Sequence, residues 1–421
     1  MKVIAMKCLF NKINKRAIVA SIITASILMV FCYLITNLGF SISTEGAWVM
    51  KVNKSINKIY SQKKHVPDSV LLVNISYDRE LIPINDSDGF PIGDIDITNR
   101  EALYRFLSIL KQRNDYKYVF LDVFFQEGYQ SPSDEKLFPL ISKMDNLAIS
   151  CHRDATIDSP ELLQGHAFIS DYTVTKTSKT FMKYELLPDG QKSVVLHMYN
   201  ECKGKDITKY GPVYFDGNRL CNSTLFAKQI INFKGSYDDE GYKNYYNLSA
   251  DLLMDEEELL STSLLKDKYI FIGSMELNDV HSSSEGALPG VVISANTFLS
   301  VMQGKHIIPY FMMFVLFAVL FCISYQIYTG KTIANWFKCL IEKYRININP
   351  VVFSYFLTWV SYMSILSLAC IISYSVYGVM YDIFFTATLF QHIDYIVSNK
   401  DTFKKAKGQS IRDFILKLIL K

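Results

Sequence analysis

The chain lacks nearly every short signature that announces chemistry. It has no G-x-S-x-G, no H-E-x-x-H, no P-loop, no G-x-G-x-x-G and no zinc-finger spacing. Motif-borne hydrolase, zincin, nucleotide-binding and zinc-finger readings are therefore excluded. A Ser/His/Asp triad built from distant residues leaves no spacing to read. The eight cysteines form no C-x-x-C pair, which removes the dithiol and cysteine-cage zinc classes. Internal repeats and low-complexity tracts are missing as well. Acids are absent from the first sixteen residues, which carry Lys2, Lys7, Lys12, Lys15 and Arg16.

Charge is also absent from three long apolar runs, and these are the first strong feature. Ala17 to Phe40, Ile307 to Ile327 and Val351 to Tyr374 hold no ionisable side chain. Each is long enough, at ~1.5 Å per residue, to cross a hydrocarbon core ~30 Å thick. A cleaved leader would have a shorter apolar run and a small-x-small site, so residues 17–40 are expected to stay as an anchor. A fourth span is expected at 376–397, because it returns the basic tail to the side of the basic N-terminus. It contains Asp382, Gln391, His392 and Asp394. Asp382 is expected near the headgroups beside Tyr377 and Tyr381.

Charge is zoned along the chain. Residues 41–306 hold 28 Lys and Arg against 36 Asp and Glu, a balance of −8. The segments 1–16, 329–349 and 398–421 are basic. The positive-inside rule then puts both termini in the cytoplasm and residues 41–306 outside. The tail reads QSIRDFILKLILK, with Arg412, Phe414, Lys417 and Leu418 on an amphipathic pattern. Such a helix suits anionic membrane lipid or a docking partner. Residues 398–421 are too few for a catalytic domain.

The 41–306 segment alternates strands and helices. Helical spacing covers Glu45 to Tyr60, with Trp48, Val49, Val52 and Ile56 in one stripe. Strands are expected at Val70 to Ser76, Tyr118 to Phe125 and Leu147 to Ser150. Helices are expected at Thr98 to Leu110, capped by Thr98, and at Ser133 to Met144. This βαβαβ order predicts a mixed, mainly parallel sheet with flanking helices, an α/β fold. From Asp154 to Asn222 the pattern breaks into strand-like islands at His166 to Ser170, Phe181 to Leu186 and Val194 to Tyr199, read as an antiparallel insertion. The α/β order returns with strands at Ile230 to Phe233 and Tyr269 to Ile272. A helix at Val291 to Gln303 then leads into the second apolar run. With residues 41–306 outside the cytoplasm, a Cys202–Cys221 disulfide is allowed.

Ligands of open α/β sheets collect beyond the carboxyl ends of the strands. Asp78, Asp122 and Asp279 each follow or close an apolar run, and Arg100 opens a helix. These four are the candidate ligand-binding residues. The competing role for them is an internal Arg–Asp network that holds loops in place. His152 beside Cys151, and His281 beside Asp279, are too sparse for a metal set. No catalytic residue, metal or cofactor is expected. The aromatic residues fit a core and membrane interfaces rather than a base-stacking platform, so nucleic acid is not an expected partner.

Several local patterns, in order, resemble the second type of CHASE domain. They are Ile75-Ser76-Tyr77-Asp78, Thr98-Asn99-Arg100, Leu121-Asp122-Val123-Phe124-Phe125 and Ser131-Pro132-Ser133-Asp134. Ile270-Phe271-Ile272-Gly273-Ser274, Asp279 and Leu288-Pro289-Gly290-Val291-Val292-Ile293-Ser294-Ala295-Asn296 follow. The likeness spans residues 17–397, from one N-terminal span to three C-terminal ones. It implies an extracytoplasmic sensor of a bacterial signalling protein, non-enzymatic in itself, working through a separate cytoplasmic or membrane partner and, by family analogy, as a homodimer. The chain departs from the family at Val292 and Ser294, where an acid and a histidine are usual. It also departs at Gly93 to Asp96 and at Ser282 to Glu285, and no cytoplasmic output domain is expected after the last span. Those departures leave a second reading open, a membrane scaffold or assembly subunit that keeps the sensor fold.

Overall fold

The computed structural model describes residues 15–39, 45–59, 66–85, 88, 90–125, 129–153, 160–174, 180–226, 230–231, 244–276, 279–283, 286–331 and 350–398. The chain divides into two compact units. One comprises Met1–Thr36 with Pro309–Lys421, the other Asn37–Ile308.

In chain order, α1 is Lys15–Thr36 and α2 is Glu45–Ile59. The α/β unit continues through β1 (Val70–Asn74), β2 (Arg79–Asn85), β3 (Pro91–Thr98), α3 (Arg100–Arg113), β4 (Tyr118–Asp122), α4 (Asp134–Ile141) and β5 (Leu147–Cys151). Then come β6 (Ala167–Ile169), β7 (Thr173–Val174), β8 (Phe181–Glu185), α5 (Val194–Lys203), β9 (Ile207–Tyr210), β10 (Val213–Asp216), β11 (Arg219–Cys221) and β12 (Thr224–Phe226). The unit closes with β13 (Tyr245–Asn247), α6 (Glu256–Ser261), β14 (Tyr269–Gly273), β15 (Val280–Ser283), β16 (Gly286–Pro289) and α7 (Gly290–Met302). The last three helices are α8 (Tyr310–Tyr328), α9 (Pro350–Tyr377) and α10 (Ile383–Ser398).

The centre of the α/β unit is a six-stranded sheet in the order β13-β1-β14-β4-β5-β6. Every neighbouring pair in it is parallel. Such a sheet is covered on both faces, which is why β1 and β5 are buried at every position. Alternate residues feed two separate cores. Val70, Leu72, Phe120 and Phe271 face α5 and α7. Leu71, Val73, Leu121, Ile270 and Ile272 face α3, α4 and α6.

The central strands and helices lie close to where the sequence puts them, but several expectations are corrected. Helix α3 is capped by Asn99, whose side chain accepts from the Ala102 N–H. Thr98 instead closes β3, opposite Arg79. The β2–β3 hairpin has no counterpart in the sequence reading. Strand β6 joins the parallel sheet beside β5 rather than the insertion. Val194 to Tyr199 is not a strand but the start of α5. Ser193 caps this helix and Gly204 stops it in the left-handed region at φ 61°. In α2, Val49, Met50 and Asn53 are buried while Trp48 is half exposed. Ile230 and Ile231 lie outside any strand, and Asn232 and Phe233 lie outside the described residues. Cys202 and Cys221 are free thiols, so that disulfide is absent.

The insertion forms antiparallel sheet in the β11-β10-β9 meander and where β8 meets β7 and β12, while β8 meets β15 in parallel. Its last turn has a structural role. Ile307 bridges Cys221, the Ile308 N–H donates to the Leu220 carbonyl at 2.9 Å, and the Asn222 N–H donates to the His306 carbonyl at 2.8 Å. Asn37 reaches the same turn, its Oδ1 accepting from the Ser223 N–H at 2.6 Å and the Ser223 hydroxyl at 3.1 Å. The residues that follow α1 and those that precede α8 are thus both fastened to Leu220–Ser223. This moves the start of the second apolar helix from the expected Ile307 to Tyr310, behind Pro309.

In the other unit, α1 packs on α8 and α9 packs on α10. Helices α1, α8 and α9 are long and apolar enough to cross a membrane. Helix α10 has 16 residues, about 24 Å at helical rise, below the length of a simple span. It starts after Asp382, whose carboxylate accepts from the Phe385 N–H at 2.7 Å. Asp382 is therefore a helix cap. The described chain has three helices of spanning length where four were expected.

Candidate functional site

Strands β1, β14, β4, β5 and β6 run parallel, so their carboxyl ends share one rim. A cleft of about 710 Å³ opens there. Its wall takes Ile75 from beyond β1, Ser274 from beyond β14, Asp122 from the end of β4 and Phe124 from beyond it, His152 from beyond β5, and Asp171 and Tyr172 from beyond β6. The β2–β3 hairpin contributes Arg79, Asp96 and Thr98, and the first turns of α7 contribute Gly290 and Ser294.

Three of the four candidate residues meet in this cleft: Arg100, Asp122 and Asp279. Asp78 does not line it. It is buried, and its main chain holds the entry to α3, with its carbonyl accepting from the Asn99 N–H at 2.9 Å. The tail residues Arg412, Phe414, Lys417 and Leu418 lie outside the described residues.

Arg100 is only 2% exposed. Its Nε lies 3.6 Å from Asp134 Oδ1, its Nη2 donates to the Phe124 carbonyl at 3.5 Å, and its guanidinium lies 4.3 Å from the Phe125 ring centre. Burial pulls its pKa down from the usual guanidinium value, against the nearby Asp134 and Glu80. The internal Arg–Asp pairing is therefore present, but with Asp134 of α4 rather than with a strand-end acid.

Asp122 closes β4. The Ser150 hydroxyl donates to its Oδ1 at 2.5 Å. Burial pushes its pKa up to about 6, with Asp279 adding to the rise and Ser150, His281 and His152 opposing it. Gly273 on the neighbouring strand has no room for a Cβ, which would lie 2.8 Å from the Val291 Cβ and 3.0 Å from the Asp122 Cβ. Gly290 is equally confined, since a Cβ there would sit 2.9 Å from Asp279 Oδ2. Gly273 thus lets Val291 of α7 pack on β14 beside Asp122, and Gly290 lets the Asp279 carboxylate lie against α7.

Two histidine–carboxylate pairs flank Asp122. His281 Nε2 lies 2.9 Å from Asp279 Oδ1, and His152 Nδ1 lies 2.6 Å from Asp171 Oδ1. The Asp171 bond raises the His152 pKa against the opposing effect of burial. His152 also stacks on Phe124 with ring centres 3.9 Å apart. No group of three or more metal-ligating side chains occurs among the described residues. Sequence reasoning missed Asp171, Tyr172 and Arg79. Asp171 and Tyr172 follow a short strand just as Asp122 closes one, but that strand had been assigned to the insertion, so its end was not mapped to the rim.

The family model of the CHASE2 domain matches residues 48–327, more than half of the chain. The chain belongs to the CHASE2 family. CHASE2 is an extracytoplasmic sensor-domain family typical of signalling proteins. The matched range runs from α2 almost to the end of α8, so the CHASE2 region takes in the whole described α/β unit from Trp48 onward and one apolar helix. With three helices of spanning length, this is a membrane protein. No curated protein and no solved structure matches it.

Proposed function

We propose that this CHASE2 protein is a bacterial inner-membrane sensor that binds a small polar ligand in the strand-end cleft. It then signals across the membrane to a separate partner. In this reading residues 41–306 lie outside the cytoplasm and both termini inside, in line with the zoning of charge. The protein itself performs no catalysis. In support, neither cleft histidine is bonded to a hydroxyl or thiol nucleophile among the described residues.

The observation that carries the proposal is the placement of α7. Its first turn forms part of the cleft wall, and its chain leads through the strand-like Ile307–Ile308 into α8. A second connection leaves through Asp171, which accepts from the Arg153 N–H. Arg153 pairs with Glu185 of β8 at 3.3 Å, and on the same strand Lys183 Nζ donates to the Leu38 carbonyl at 3.3 Å. A ligand that favours one arrangement of the cleft would bias both exits toward the spans, by its difference in affinity between the two states. The basic tail with Arg412, Phe414, Lys417 and Leu418 is the proposed contact for anionic lipid or the partner.

The test is a thermal-shift screen of the full chain in lipid nanodiscs against small polar metabolites. The reading expects at least one compound to raise the melting temperature, and Thr98→Trp, which fills the cleft from the hairpin, to abolish that rise. Uniform silence, or a rise that survives Thr98→Trp, would overturn it.

A further inference from the structure

The cleft carries more negative charge than it can balance. Four carboxylates line it, Asp96, Asp122, Asp171 and Asp279, against Arg79 and the two histidines. Arg100 also reaches the lining, but its charge is met by Asp134 at 3.6 Å, which does not line the cleft. Arg79 pairs with Asp96 at 3.9 Å, His152 with Asp171 and His281 with Asp279. With both histidines protonated one negative charge is still left over, and with both neutral the excess is larger.

The charge left over is that of Asp122. No Lys, Arg or His nitrogen lies within 4.0 Å of its carboxylate among the described residues. The Ser150 hydroxyl occupies Oδ1, whereas Oδ2 makes no hydrogen bond among the described residues and is open to the cleft. Burial and, after it, the nearby Asp279 raise the pKa of this group, as befits a carboxylate short of positive charge. The surroundings are aromatic. The Phe124 ring, two residues on, is exposed in the same wall, and Tyr129 adds a second ring to the lining. Such faces attract a cation and cover the apolar part of its carrier. An anion is disfavoured by the same excess of charge. A divalent metal does not fit either, since no group of three ligating side chains meets among the described residues.

We infer that the cleft takes a small organic cation, a protonated primary amine that donates to the open oxygen of Asp122 and lays its apolar part on Phe124. This inference rests on the sensor reading above and names the ligand class of that same site. An ammonium group supplies both things that Asp122 lacks, a counter-charge and a donor for Oδ2. The other carboxylates of the cleft keep the partners they already have.

The experiment is isothermal titration of the full chain in nanodiscs at pH 8 with ethylamine, butylamine and benzylamine. Butanol and butyrate serve as neutral and anionic controls, and calcium chloride tests a metal ion in the same place. At least one amine should bind saturably, with all three controls at least tenfold weaker. Asp122→Asn should weaken that amine at least tenfold without lowering the melting temperature, and Phe124→Ala, at an exposed ring, should weaken it several-fold. Binding by no amine, equal binding by butanol, butyrate or calcium, or unchanged affinity in Asp122→Asn would each overturn the inference. If that happens while the metabolite screen still finds a ligand lost in Thr98→Trp, only the ligand class has failed. If the screen is silent too, the sensor reading falls with it.

Discussion

Asp122 shows how much one side chain can be asked to do. Its carboxylate is lifted from an ordinary 3.8 to about 6 by burial, so folding holds a proton that the unfolded chain has released between those values. Stability therefore declines as pH rises through that window, by on the order of 3 kcal/mol once Asp122 is ionised. His152 acts in the same direction. Its raised pKa gives stability that is full below its ordinary value of 6.5 and lost as pH climbs through the raised one. His197 acts in the opposite direction. Half-buried and stacked on Phe168, with its pKa depressed to about 4 by desolvation, it costs stability as pH falls below 6.5. The informative measurement is thus a difference. Asp122→Asn is expected to melt higher than the parent at pH 8 and close to it at pH 4, and equal melting at pH 8 would show that the charge is not strained. That Asp122 lies at a rim was legible, because an acid closing an apolar strand run has few other places to go. That His152 and His281 flank it was not, because they arrive on separate loops whose meeting depends on strand order.

At the scale of elements, the parallel strands were legible for a physical reason. A strand covered on both faces must be apolar at every position, and such runs stand out. Helix α5 was not, since the Val194-Val195 pair reads as strand until the Ser193 cap and the Gly204 stop are given weight. The β2–β3 hairpin was hidden because its residues alternate between buried Ile82 and Ile97 and exposed Leu81 and Ile92, interrupted by Pro83 and Pro91. Gly273 joins β14 to α7 with no space between them. Gly273→Ala is expected to lower the melting temperature, at an overpacking cost of about 1–3 kcal/mol, because Val291 and Asp122 must both yield. An unchanged melting temperature would mean that the strand and helix can part freely. The turn Leu220–Ser223 makes its own prediction. Asn37→Ala leaves the Ser223 N–H without its acceptor, a loss of about 1–3 kcal/mol. Hydrogen exchange at the Ser223 amide should then quicken about tenfold or more, if the Asn37 bond is what protects it.

At the scale of the whole molecule, composition and charge zoning were enough to announce membrane helices and a large folded middle. They were less able to count spans. The expected fourth crossing borrowed residues 376–382, which lie outside α10. Gly378, at φ 76°, follows directly on the end of α9. The account depends on the acidic middle lying across the membrane from the basic ends. The most direct test places a cysteine at Gly211, in the exposed turn between β9 and β10, and treats intact cells with a membrane-impermeant maleimide. The account predicts labelling of that position above the parent chain without permeabilising the inner membrane. Labelling only after that membrane is opened would contradict it.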